Sequence, residues 1–117
     1  MAAPNIVNVS VIYGRSAVQQ VGTSATAIVT NSAASGKVLK VNALYVANVD
    51  GTSNADITVD LFRSSVAYRI ASTVVVPADA SLSILDQSIY LEEGDSIRLT
   101  ANAAGDLEAV CSYEEIS

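Results

Sequence analysis

The sequence predicts an all-β fold: a single sandwich of about eight short antiparallel strands, jelly-roll-like, with an immunoglobulin-like sandwich as the alternative. Three observations predict it. Ile97, Leu99 and Ala101 alternate with Ser96, Arg98 and Thr100, which puts one apolar and one polar face on a strand. The apolar half of the chain is β-branched rather than aromatic, with 16 Val and 9 Ile against 6 aromatic residues and no Trp. Branching at Cβ suits a pleated strand and is slightly disfavoured in a helix. Turn residues recur at fairly regular spacing, and no helical period competes with them.

Taken in order, Ile6–Tyr13 forms the first strand, with Val7, Val9 and Val11 on one side and Gly14 as its stop. Thr26–Thr30 forms a second, which begins at Thr26 or nearer Val18. Asn31–Gly36 is a polar, glycine-ended loop. Val38–Val49 is the longest apolar stretch. Leu39, Val41, Ala43, Tyr45, Ala47 and Val49 line one face, while Val38, Leu44 and Val46 make the other face apolar too. A strand apolar on both sides is central or meets a second subunit. Asp50–Asp56 has turn composition and predicts a hairpin with Ile57–Arg63. Val66–Val76 is ended by Pro77, which cannot donate to a ladder. Leu82–Leu85 and Ile89–Leu91 flank Asp86–Ser88 as a broken or bulged strand. Ser96–Ala101 and Leu107–Ile116, joined across Gly105-Asp106, close the fold. The expected core includes Val41, Ala43, Tyr45, Val59, Leu61, Ile97, Leu99 and Cys111.

The 117 residues make one domain, 1–117, with a short N-terminal arm at 1–5 and a C-terminal tail at 114–117. Net charge is −6, and the six basic residues are scattered. Nucleic acid is therefore not an expected partner, since its binding needs clustered Lys and Arg. An anionic membrane surface is disfavoured by the same charge. No stretch approaches the ~20 apolar residues of a transmembrane span. The start Met-Ala-Ala-Pro-Asn lacks the basic and apolar regions of a secretory signal. Cys111 is the single cysteine, so no internal disulfide can form, and its parity with Leu107, Ala109 and Tyr113 makes it a small core residue.

The chain has no histidine, which removes the commonest general base and metal ligand. A Ser-His-Asp or Cys-His site is impossible within it, one thiol cannot build a zinc site, and no phosphate loop is present. Glu92, Glu93 and Asp95 are the closest acidic cluster. An acid–base pair or a cation site is one reading; a solvated β-turn around Gly94 is preferred. Asp50, Asn54 and Asp56 carry oxygen ligands of the kind Ca²⁺ takes, but lack loop spacing for it, so a plain turn is preferred there as well. Tyr68 and Tyr90 are open to a role in glycan or partner contact, whereas Tyr45 and Tyr113 are assigned to packing. The expectation is a non-enzymatic protein with no catalytic residues, no cofactor and no metal.

Asp50-Gly-Thr, Ala55-Asp-Ile-Thr-Val-Asp-Leu61, Val76-Pro-Ala-Asp-Ala80, Tyr90-Leu-Glu-Glu-Gly-Asp-Ser-Ile-Arg-Leu-Thr-Ala101 and Asp106-Leu-Glu-Ala-Val-Cys-Ser-Tyr-Glu-Glu-Ile116 occur in that order. Together they resemble small virion structural proteins of tailed bacteriophages, especially phages of marine bacteria and cyanobacteria, over roughly residues 38–117. The Leu-x-x-Gly-Asp-x-Ile-x-Leu element also looks like the late hairpin of other jelly rolls, including trimeric ones of the complement-globular-head type. The resemblance implies a virion protein made in the host cytoplasm, in first place a capsid decoration or cement protein. The alternatives are a neck, tail or fibre component, or a glycan-binding adhesin module. It implies the major capsid protein or other virion proteins as partners, while the two-sided apolar strand Val38–Val49 predicts a homo-oligomer, with a trimer favoured. The candidate interface residues are the arm Met1, Ala2, Ala3, Pro4 and Asn5, and the second apolar face Val38, Leu44 and Val46.

Overall fold

The computed structural model describes residues 9–117. Nine strands make it up: β1 (Ile12–Gln20), β2 (Thr26–Thr30), β3 (Val38–Asn48), β4 (Ala55–Arg63), β5 (Val66–Val76), β6 (Ser81–Ser83), β7 (Ile89–Leu91), β8 (Ser96–Ala101) and β9 (Leu107–Ile116). One sheet has the order β1-β9-β3-β6, with β7 also on β3; the other has the order β2-β8-β4-β5. All pairings are antiparallel, and the two sheets pack face to face as a sandwich. Among the described residues there is no helix, so none crosses a membrane.

Taking β6 and β7 as one interrupted strand, the pairing is nested. The first strand pairs with the last, β2 with β8, β3 with β6 and β7, and β4 with β5. A long hairpin rolled up on itself produces this order, so the sandwich is jelly-roll-like. Among the described residues the first strand starts at Ile12, and residues 6–8 of the expected Ile6–Tyr13 strand lie outside them. β1 runs straight through Gly14 as far as Gln20, because β9 continues to Ile116 and pairs with it residue for residue. Glu114, Glu115 and Ile116 are thus ladder residues rather than a free tail, and Ser117 still exchanges backbone hydrogen bonds with Val11 (2.9 Å each way). The arm at 1–5 lies outside the described residues.

Two further expectations change. Asp50–Asp56 does not close a hairpin; it carries the chain from β3 in one sheet to β4 in the other. The hairpin that does form is β4–β5, closed by Ser64 and Ser65 at φ 51° and 62°. Two successive positive φ values give the turn the twist a two-residue hairpin needs. The second change is inside β3. Its register on β9 shifts between Val41 and Ala43, where Asn42 is an extra residue. Such a bulge reverses the alternation. Before it, Leu39 and Val41 face inward; after it, Leu44 and Val46 do. Tyr45, expected in the core, is 51% exposed on the outer face, and Ala43 is only half-buried.

The core otherwise follows the sequence pattern. Val59, Ile97, Leu99 and Cys111 are fully buried with Val21, Ile57, Leu91 and Leu107, and Leu61 packs partly buried against them. Two buried asparagines tie the connections to the sandwich ends. Asn31 Nδ2 donates to Lys37 O (2.9 Å) and Leu91 O (3.0 Å), and its Oδ1 accepts from Ser35 Oγ (2.6 Å). Asn48 Nδ2 donates to Ser53 O and Val76 O (2.9 Å each), and its Oδ1 accepts from the Asp50 amide (2.9 Å). Each satisfies loop carbonyls that would otherwise be buried without partners.

Candidate functional site

The acidic turn between β7 and β8 is a clamp built on an arginine. Gly94, at φ 91°, lets Glu92–Asp95 turn tightly. Asp95, nearly fully buried, accepts from Arg63 Nε at 2.8 Å and from Arg63 Nη2 at 2.5 Å, and from the Glu92 amide at 2.9 Å. Arg63 Nη2 also reaches Glu92 Oε2 at 2.9 Å, and Glu93 Oε2 accepts from the Gly36 amide at 2.9 Å. Burial disfavours the Asp95 charge, but the Arg63 hydrogen bonds and charge and the Glu92 N–H outweigh it and hold its carboxyl below the usual range. The three acids are therefore held by β4 and the β2–β3 loop. Nothing in this arrangement resembles two free carboxylates facing a substrate.

The Asp50 region is likewise a turn. Asp50 Oδ1 accepts from Thr52 N and Oγ1 at 2.9 Å each, which lowers its pKa, and Asn54 Oδ1 accepts from the Ala78 amide at 3.2 Å. Among the described residues, no three His, Cys, Asp or Glu side chains converge on a metal position. Burial pushes the Cys111 thiol up to about 11, far from a nucleophilic thiolate. Five of the six basic side chains pair with carboxylates: Arg15 and Lys37 with Glu115, Arg63 with Asp95, and Arg69 and Arg98 with Asp60. Arg98 also stacks on Phe62, 3.9 Å from the ring centroid.

The surface that stands out is the outer face of the β1-β9-β3 sheet. Val18 is opposite Val110, and Val110 is opposite Tyr45. These three form one cross-strand row and are 76%, 44% and 51% exposed. On one side of it the next row is Ser16, Ser112 and Ala43. On the other it is Gln20, Glu108 and Ala47. Across these three rows Glu108 is the one charged side chain, a notable stretch on a chain of net charge −6; beyond Ser112 the face turns polar again at Glu114 and Lys40.

Sequence reasoning placed the interface elsewhere. Leu44 and Val46 are completely buried because the Asn42 bulge turns them inward, and Val38, which precedes the bulge, is buried as well. They offer nothing to a partner, and Met1, Ala2, Ala3, Pro4 and Asn5 lie outside the described residues. The face that replaces them left a faint signal in the sequence: Val18 alone between Ser16 and Gln20, and Val110 alone between Glu108 and Ser112, on the outward parities of β1 and β9. Of the tyrosines, Tyr68 and Tyr90 are exposed but belong to different sheets, so they form no shared platform within one sheet.

No protein family and no curated protein matches this sequence. The fold is similar to a solved structure of Bacillus endospore appendages, described as a novel family of disulfide-linked pili. The TM-score is 0.55 at 14% identity, over 100% of this chain and 96% of that one, so what the two chains share is the fold.

Proposed function

We propose that this protein is a non-enzymatic structural subunit, present in many copies, that acts by covering area on a larger particle. The observation that carries the reading is the exposed Val18–Val110–Tyr45 row, flanked on the outer sheet face by rows in which Glu108 is the one charged side chain. A rigid sheet with exposed apolar side chains gains by covering them, and a partner that binds only the assembled lattice stabilises that lattice by mass action. The sequence resemblance supports a bacteriophage virion as the particle and capsid decoration as the role, with the major capsid protein beneath the sheet face. Chemistry agrees with this reading: the clustered acids Glu92, Glu93 and Asp95, and the buried Asp60, are tied up in a turn and ion pairs, and the one thiol is buried.

A fibre or appendage subunit is the second reading, favoured by the fold shared with the endospore appendage structure. Disulfide linkage of the kind named for those pili does not transfer. One cysteine per chain cannot link a continuous series of subunits, and Cys111 is fully buried. Quantitative mass spectrometry of purified particles tests the proposal. Capsid decoration predicts a copy number in fixed, near-stoichiometric ratio to the major capsid protein. A handful of copies per particle would favour the neck, tail or fibre, and absence from washed particles would refute a virion role.

A further inference from the structure

The two sheets have four edges, and three of them carry a device that prevents further pairing. β5 has register shifts against β4 at two points, with Thr73 at φ 45°. The β6–β7 edge is broken into two three-residue strands. β2 is short and bulged, and its Ala27 carbonyl accepts from Gln19 Nε2 at 3.0 Å. β1 has none of these: its nine residues match β9 without a shift and contain no proline. A long straight edge is the part of a sheet most ready to accept another strand.

The backbone groups that face this edge follow from the ladder. Val11 and Ser117 exchange both their hydrogen bonds, and the Val21 amide donates to Leu107 O at 2.9 Å. In an antiparallel pair such residues alternate with ones that point away. The amides and carbonyls of Ile12, Gly14, Ser16, Val18 and Gln20 therefore point outward, with no partner strand among the described residues.

We propose that β1 pairs antiparallel with β1 of a second copy, about a two-fold axis through Ser16. Ile12 then faces Gln20 of the other copy, Gly14 faces Val18, and Ser16 faces Ser16. This register uses all five open residues, each pair exchanging two hydrogen bonds. Sliding it one step leaves an end unpaired, and in one direction it sets Arg15 against its own copy. Side-chain fit supports the same register. Val18, the most exposed apolar residue named above, lies beside Gly14, where a Cβ would meet nothing within 4 Å. Ile12, 55% exposed, comes over Gln20 at the rim of a shallow depression of about 320 Å³ lined by Val18, Glu108 and Val110. Charge does not oppose this contact at the strand itself. Copies of net charge −6 repel, but β1 itself carries only Arg15, already paired with Glu115 at 2.8 Å. The inference holds whichever particle the subunit belongs to.

Cysteine cross-linking of the full chain tests it. Residues facing each other in such a pair have Cα atoms about 5.5 Å apart, within disulfide range. Under mild oxidation Ser16→Cys should form a covalent dimer at least roughly tenfold faster than Tyr68→Cys on the bulged edge, because only Ser16 meets its own copy within bonding distance. Val18→Lys should weaken the dimer of the otherwise unchanged protein by roughly tenfold or more in sedimentation velocity, as a charge on a pairing edge does, while the melting temperature of the protein diluted to monomer stays put. A protein that remains monomeric at millimolar concentration would overturn the proposal. So would a dimer that Val18→Lys leaves intact, or Ser16→Cys that cross-links no faster than Tyr68→Cys.

Discussion

Replacing Asp95 by Ala would leave the Arg63 guanidinium and the Glu92 amide without their acceptor at the β7–β8 turn. Hydrogen bonds to a buried charge are among the stronger ones, and Arg63 keeps partial access to water. A loss of about 2–3 kcal/mol in urea unfolding is expected. The pH dependence has a definite sign. The Asp95 carboxyl is held below its unfolded value, so its contribution is complete above that value, about pH 4, and is lost as pH falls through the lower folded value. The urea midpoint should therefore drop below about pH 4, and Asp95→Asn should flatten that part of the profile. Cys111 gives a second residue-scale test. Buried, with its thiol pushed up to about 11, it should react with a thiol reagent only at the rate of unfolding. Rapid labelling of the native protein would contradict its place in the core.

At the scale of the strand, β3 shows what the sequence could and could not disclose. The strand itself was legible, as were β2, β5, β8, β9 and the break between β6 and β7, because each carries a period-two pattern bounded by turn residues. The face of β3 was not, because both alternating sets are apolar and nothing in Val41-Asn42-Ala43 marks a bulge. Only pairing with β9 decides it. The β3–β4 connection failed for a related reason. Asp50-Gly51-Thr52 has turn chemistry, and turn chemistry does not say whether the next strand stays in the sheet. The true hairpin, at Ser64-Ser65, lacks the Gly or Asn that usually marks positive φ. The threefold oligomer expected from a strand apolar on both faces loses that ground, since both apolar sets of β3 contribute to one core. Paired substitutions test the bulge. Leu44→Ala should cost about 2–5 kcal/mol, whereas Tyr45→Ala should stay within about 0.5–1 kcal/mol. The unshifted parity predicts the reverse. Leu99→Ala, on a strand whose parity needs no correction, should match Leu44→Ala at about 2–5 kcal/mol.

For the molecule as a whole, the proposed role places stability and assembly on different surfaces. The core, the two asparagine hubs and the Arg63 clamp fix the sandwich, while the Val18–Val110–Tyr45 row contributes little to it. A charge placed on that row should leave folding intact and affect only what the sheet contacts. Val110→Lys should thus keep the wild-type melting temperature to within a few degrees, as surface substitutions do, and lower incorporation into particles. Cryo-electron microscopy of the intact particle tests the central claim most directly. The account predicts repeated density for this sandwich, with the outer face of the β1-β9-β3 sheet buried against neighbouring protein. Repeated density in which that face points into solvent, or a particle in which the chain has no ordered position, would contradict it.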